Sequence, residues 1–85
     1  MNIYVGNISY QLMEDELRAV FEVHGQVISV TIITDRETGQ SKGFAFVEMP
    51  IESDAEEAIE QLDGTLLMGR NMRVNKARPR RDQTQ

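Results

Sequence analysis

Hydrophobic positions along this chain change period several times, and each change marks an element. Ile3-Tyr4-Val5 alternates and is rich in strand formers up to the turn pair Gly6-Asn7, which predicts a strand over residues 2–6. Leu17, Val20, Phe21 and His24 then recur at i, i+3, i+4 and i+7, predicting an amphipathic helix between Glu14 and His24 that Gly25 ends. Glu14, Asp15 and Glu16 occupy its first turn, where the helix dipole favours negative charge. The β-branched run from Val27 to Ile33 predicts a second strand, Asp35 to Ser41 a loop, and Phe44 to Met49 a third strand closed by Pro50. Ser53-Asp54-Ala55-Glu56 has the form of a capping box, ahead of a helical face of Ala55, Ala58, Ile59 and Leu62 that stops at Asp63-Gly64. Gly69 marks a turn into Met72 to Asn75, a last short strand, and polar residues 78–85 predict a disordered tail.

The order is therefore β-α-β-β-α-β. This is the split βαβ, or ferredoxin-like, arrangement of the α+β class: two right-handed crossovers place both helices on one face of a four-stranded antiparallel sheet. Alternation then assigns sides. Ile3, Val5, Val30, Ile32, Ala45, Val47, Met49, Met72 and Val74 point to the helices, whereas Tyr4, Phe44, Phe46, Arg73 and Asn75 point outward. Two of the three phenylalanines and one of the two tyrosines are thus placed where water is expected.

Composition narrows the class of function. Eighty-five residues suit one domain, set at residues 1–77 with the basic, polar tail beyond it. The chain has no cysteine and a single histidine, His24, which leaves no disulfide, thiolate or imidazole cluster to hold a metal, and no cofactor is implied. No phosphate-cradling glycine motif and no nucleophile-base spacing is present, so an enzyme is not expected. His24 reads as a packing residue and Tyr10 as a loop or packing residue. No apolar run reaches the roughly 18 residues of a membrane span, and the first residues lack a signal-peptide layout, so the expected compartment is the cytoplasm.

A net charge of -5 argues, taken alone, against a polyanionic partner. The distribution reverses that inference. Most of the 14 acids fall on or beside the two helices, whereas Arg70, Arg73, Lys76, Arg78, Arg80 and Arg81 are six of the nine bases, and Lys42 precedes the outward aromatics. Single-stranded nucleic acid presents flat bases that stack on such rings, at about 1–3 kcal/mol each, and phosphates that nearby cations neutralise. Glu48 shares the outward side, where it either accepts from a base amino group or repels phosphate.

At these residues the chain resembles the RNA-recognition-motif family. Ile3-Tyr4-Val5-Gly6-Asn7-Ile8 is similar to the family's first-strand hexamer, and Lys42-Gly43-Phe44-Ala45-Phe46-Val47-Glu48-Met49 to its third-strand octamer. The resemblance implies that Tyr4 and Phe46 stack on successive bases, Phe44 packs on sugars and Lys42 meets phosphate. It also implies that Asn7 and the last-strand segment Arg73, Asn75, Lys76 and Ala77 touch RNA. A single compact copy is further similar to small bacterial RNA-binding proteins, those of cyanobacteria in particular. Met49 replaces the final aromatic of the octamer at an inward position, where a flexible side chain refills the volume. Met13 stands where a Ser or Thr cap is usual. The expected partner is single-stranded RNA bound by a monomer, with single-stranded DNA a second candidate because stacking tolerates every base. The competing reading is a protein-interaction module using the same sheet face.

Overall fold

The computed structural model describes residues 1–77; the expected tail, residues 78–85, lies outside the described residues. In chain order the elements are β1 (Asn2–Gly6), α1 (Glu14–Glu22), β2 (Ser29–Thr34), β3 (Ser41–Glu48), α2 (Glu52–Leu62), β4 (Leu66–Leu67), β5 (Arg70–Asn71) and β6 (Arg73–Lys76). The main sheet has the order β2-β3-β1-β6 with every neighbouring pair antiparallel, and β4 and β5 form a small separate hairpin. This is the ferredoxin-like arrangement expected from the hydrophobic pattern, with the hairpin added between α2 and β6.

The core lies between the sheet and the helices. Ile3, Val5, Ala45, Val47, Met49, Met72 and Val74 from the sheet side meet Leu17, Phe21, Ala55, Ala58 and Leu62 from the helices, all buried. Val30 and Ile32 also face this core but are only partly buried, because β2 is an edge strand with a single neighbour. Ile8 and Leu12, from the loop after β1, complete the core at one end. Burying such side chains contributes about 1.5–3 kcal/mol each, which fixes the register and with it what every outward position presents.

Element ends depart from the sequence expectation where backbone groups find other partners. The second strand begins at Ser29 rather than Val27, because the Arg18 guanidinium donates to the carbonyls of Val27 (3.1 Å) and Ile28 (3.2 Å). The first helix ends at Glu22, so His24 lies beyond it, half-buried, with Nδ1 3.6 Å from Glu57 Oε2 on α2. The capping box assigned to Ser53 does not form. With Ile51 in extended geometry after Pro50, α2 starts at Glu52 and the Ala55 amide already donates to the Ile51 carbonyl at 3.0 Å, which leaves Ser53 inside the first turn. At α1 the reverse holds: Met13 offers no oxygen, yet its amide donates to Glu16 Oε1 at 2.9 Å, preserving half of a capping box.

The third strand starts three residues earlier than its aromatics suggest, at Ser41. Pairing with β2 jumps from Ile32↔Ala45 to Thr34↔Ser41, a bulge that Gly43 accommodates at φ 85°. The Gly43 carbonyl accepts from the Ile8 amide at 3.1 Å, tying the strand to the loop after β1.

Candidate nucleic-acid interface

Cross-strand register builds the outward face in rows. Asn75, Tyr4, Phe46 and Thr31 stand side by side across all four strands, from β6 through β1 and β3 to β2. The row above pairs Phe44 with Gly6 and Gly6 with Arg73; the row below pairs Ser29 with Glu48 and Glu48 with Asn2. Phe46 is 36% exposed, while Tyr4 and Phe44 are partly covered by their neighbours.

The three rings form a nearly equilateral triangle. Centroids are 6.0 Å apart for Tyr4 and Phe44, 5.9 Å for Tyr4 and Phe46, and 6.1 Å for Phe44 and Phe46, with tilted or edge-on planes. Contacts of this kind are worth about 0.5–1.5 kcal/mol each, so the rings hold one another in place before anything binds. Gly6 sets the pose of Tyr4. A Cβ at Gly6 would overlap the Tyr4 hydroxyl and lie 2.8 Å from Cε2 and Cζ of the ring, so the ring leans over a position that only hydrogen leaves open.

Two concavities meet at these rings. The larger, about 890 Å³, includes Tyr4, Phe44, Phe46, Asn75, Lys76 and Ala77 together with Asn2, Ser29, Thr31 and Glu48. Its neighbour, about 380 Å³, includes Asn7, Lys42 and Arg73 with Tyr4, Tyr10, Phe44 and Arg70. All nine residues singled out in the sequence are therefore brought to one side of the sheet. Lys76 reaches it differently from the others: it pairs with Ile3 and so shares the inward parity, but at the end of an edge strand it is exposed and borders the larger concavity.

Asn2, Ser29, Thr31, Ile33, Tyr10 and Arg70 also line this surface but were not singled out in the sequence as site residues. Thr31 and Ser29 were legible, since they alternate with Val30 and Ile32 on β2. Tyr10 was read as a loop or packing residue, but it is 69% exposed and borders the smaller concavity. Arg70 was counted among the clustered bases but not placed at the site, because its place depends on the β4-β5 hairpin and on the Asn7 side chain, whose Oδ1 accepts from the Arg70 guanidinium at 2.7 Å. Charge is divided as the sequence suggested. The first turns of α1 and α2 carry Glu14, Asp15, Glu16, Glu52 and Asp54, whereas Lys42, Arg70, Arg73 and Lys76 border the two concavities, with Glu48 their acidic neighbour.

Residues 3–73 match the sequence profile of the RNA recognition motif. RbpA of Nostoc sp., named as an RNA-binding protein, is 56% identical over 82 residues, which is 96% of this chain and 80% of that protein. Among solved structures, that of RNA binding protein PG1 superposes with a TM-score of 0.91 at 48% identity, covering 96% of this chain and 99% of the other. The Drosophila melanogaster Sex-lethal protein in its RNA complex superposes at 0.89 and 32% identity, over 95% of this chain and 48% of the other. Fold, both strand motifs and relatives agree: this chain belongs to the RNA recognition motif family.

Proposed function

We propose that this protein binds single-stranded RNA on the outward sheet face, with bases stacked on Tyr4 and Phe46, sugars against Phe44, and phosphates near Lys42, Arg73 and Lys76. The observation that carries the reading is the ring triangle: three aromatic side chains held within about 6 Å of one another on the two central strands, turned away from the core. Flat, open rings beside cations suit unpaired bases, whereas a duplex keeps its base faces stacked and offers only edges and backbone. Asn7, Asn75 and the Ala77 backbone add polar contacts, and relatives named for RNA binding at 50% identity or more support the same partner.

The protein acts in this reading as a monomeric, cytoplasmic binding module and not as an enzyme. Its one histidine lies on the far side of the sheet between the helices, beside Glu57, remote from the rings. Among the described residues no helix is long and apolar enough to cross a membrane. Single-stranded DNA is a weaker second partner on the same rings. The test is equilibrium binding of fluorescently labelled RNA to the full chain. Single-stranded RNA should bind at least tenfold more tightly than a hairpin-free duplex of the same sequence; equal affinity for the two would overturn stacking as the mode of binding.

A further inference from the structure

The row below the rings carries a carboxylate on a face otherwise suited to phosphate. Glu48 stands two residues beyond Phe46 on β3, so its side chain leaves the sheet on the same side, roughly 6–7 Å along the strand. Its backbone is held from both sides, with Asn2 opposite on β1 and Ser29 opposite on β2, and its carbonyl accepts from the Ile28 amide at 2.8 Å. The side chain is exposed and borders the larger concavity together with Phe46, Asn2, Ser29 and Lys76. Other acids of the chain have local partners: Glu16 and Asp63 accept backbone amides, and Glu22 pairs with Arg18. Among the described residues, no cation lies within ion-pair distance of Glu48.

An ionised carboxylate only accepts hydrogen bonds, through two oxygens in one plane, and its bonds to N–H donors are stronger than neutral ones. Base edges differ in what they offer such a group. Guanine presents N1–H and the 2-amino group side by side, one donor for each oxygen. Cytosine and adenine present one amino group beside a ring nitrogen whose lone pair faces the second oxygen, and uracil presents a single N–H between two carbonyl oxygens. Asn2, Ser29 and Lys76 supply donors in the same concavity, which suit the O6 that follows N1–H on the guanine edge. We infer that Glu48 determines the base at the nucleotide stacked on Phe46, accepting both N–H donors of a guanine and disfavouring uracil there. This rests on the proposed stacking at the ring triangle and names the base that one of its positions selects. A carboxylate acting only by repelling phosphate would instead lower the affinity for every base alike.

The experiment compares three end-labelled RNAs binding to the full chain and its variants by fluorescence anisotropy. They are a uridine hexanucleotide, the same RNA with one central guanosine, and the same RNA with inosine there, which lacks the 2-amino group. The parent should bind the guanosine RNA roughly 5- to 150-fold more tightly than the all-uridine RNA, with the inosine RNA between them. Glu48→Gln keeps the shape of the side chain but replaces one acceptor oxygen by a donor, so it should reduce the guanosine preference to less than about twofold while Tm stays within a few degrees. Phe46→Ala should weaken all three RNAs. Equal binding of guanosine and uridine RNAs by the parent, or an undiminished guanosine preference in Glu48→Gln, with Phe46→Ala still impaired, would overturn the role of Glu48 and leave the ring-triangle reading standing. Equal tightening of all three RNAs by Glu48→Gln would also overturn it, as general repulsion of phosphate. Full affinity for all three in Phe46→Ala would remove the RNA reading itself.

Discussion

Phe46→Ala separates a binding ring from a core ring in one protein. Phe46 is 36% exposed and stands opposite Tyr4 on one side and Thr31 on the other, so the substitution removes two ring contacts and opens no enclosed cavity. At about 0.5–1.5 kcal/mol per ring contact, the stability lost is roughly 1–3 kcal/mol, against the 3–5 kcal/mol of a buried phenylalanine. For a domain of this size that lowers Tm by roughly 5–25 °C. Loss of a stacked base should weaken RNA binding by roughly 1–3 kcal/mol, or about 5- to 150-fold. Val47→Ala is the matched control: Val47 is fully buried between Ile3 and Val30, and its truncation should cost roughly 2–3 kcal/mol of stability without changing the affinity of the folded fraction. Thermal melts by circular dichroism and fluorescence-anisotropy titrations with single-stranded RNA read both quantities on the same samples. A Phe46→Ala protein that binds RNA as tightly as the parent, or that melts more than about 25 °C lower, would refute the reasoning.

Gly6→Ala should displace the Tyr4 ring, lowering RNA affinity several-fold while Tm moves by only a few degrees; unchanged affinity would show that the ring's pose over Gly6 is irrelevant to binding. RNA affinity should fall with salt at a log-log slope of about -0.7 per phosphate contacted, and two to four contacts give roughly -1.5 to -3, so a flat response in salt titrations would remove the electrostatic part of the account. The amides of Glu37 (2.8 Å) and Thr38 (3.3 Å) donate to Asp35 Oδ1 and hold its carboxyl below the ordinary aspartate value. Since the folded pKa is the lower one, the order this carboxylate gives the β2-β3 loop is present above the unfolded value and lost as pH falls through the folded one. Amide NMR of Glu37 and Thr38 should stay constant from about pH 5 to 8 and change below about pH 4, and a transition near neutrality would contradict the assignment.

Much of this architecture was legible because one face of each element is paid to no other purpose than burial. Strict alternation in Ile3-Tyr4-Val5 and Phe44-Ala45-Phe46-Val47 put the aromatics on the face opposite the core, and the register confirms that division residue by residue. What local pattern could not show were interactions between distant segments. Arg18 reaches from α1 to cap the carbonyls of Val27 and Ile28, which moves the start of β2, and no propensity encodes that reach. Pro50 and Ile51 start α2 ahead of a Ser53 motif that matched a capping box in letters alone. The β4-β5 hairpin consists of two pairs, too short for periodicity to register, and Arg70 reaches the face only through Asn7, 63 residues earlier. Ile8 and Leu12 sit in a loop with no regular period, so their burial in the core was equally hidden.

The most direct test of RNA binding across the sheet face is an NMR titration of the ¹⁵N-labelled chain with single-stranded RNA. Amide shifts should concentrate in Asn2–Gly6, Ser41–Glu48 and Arg73–Lys76, with Glu14–Glu22 and Glu52–Leu62 nearly unmoved. Shifts centred on the two helices, or no shifts at saturating RNA, would contradict the account.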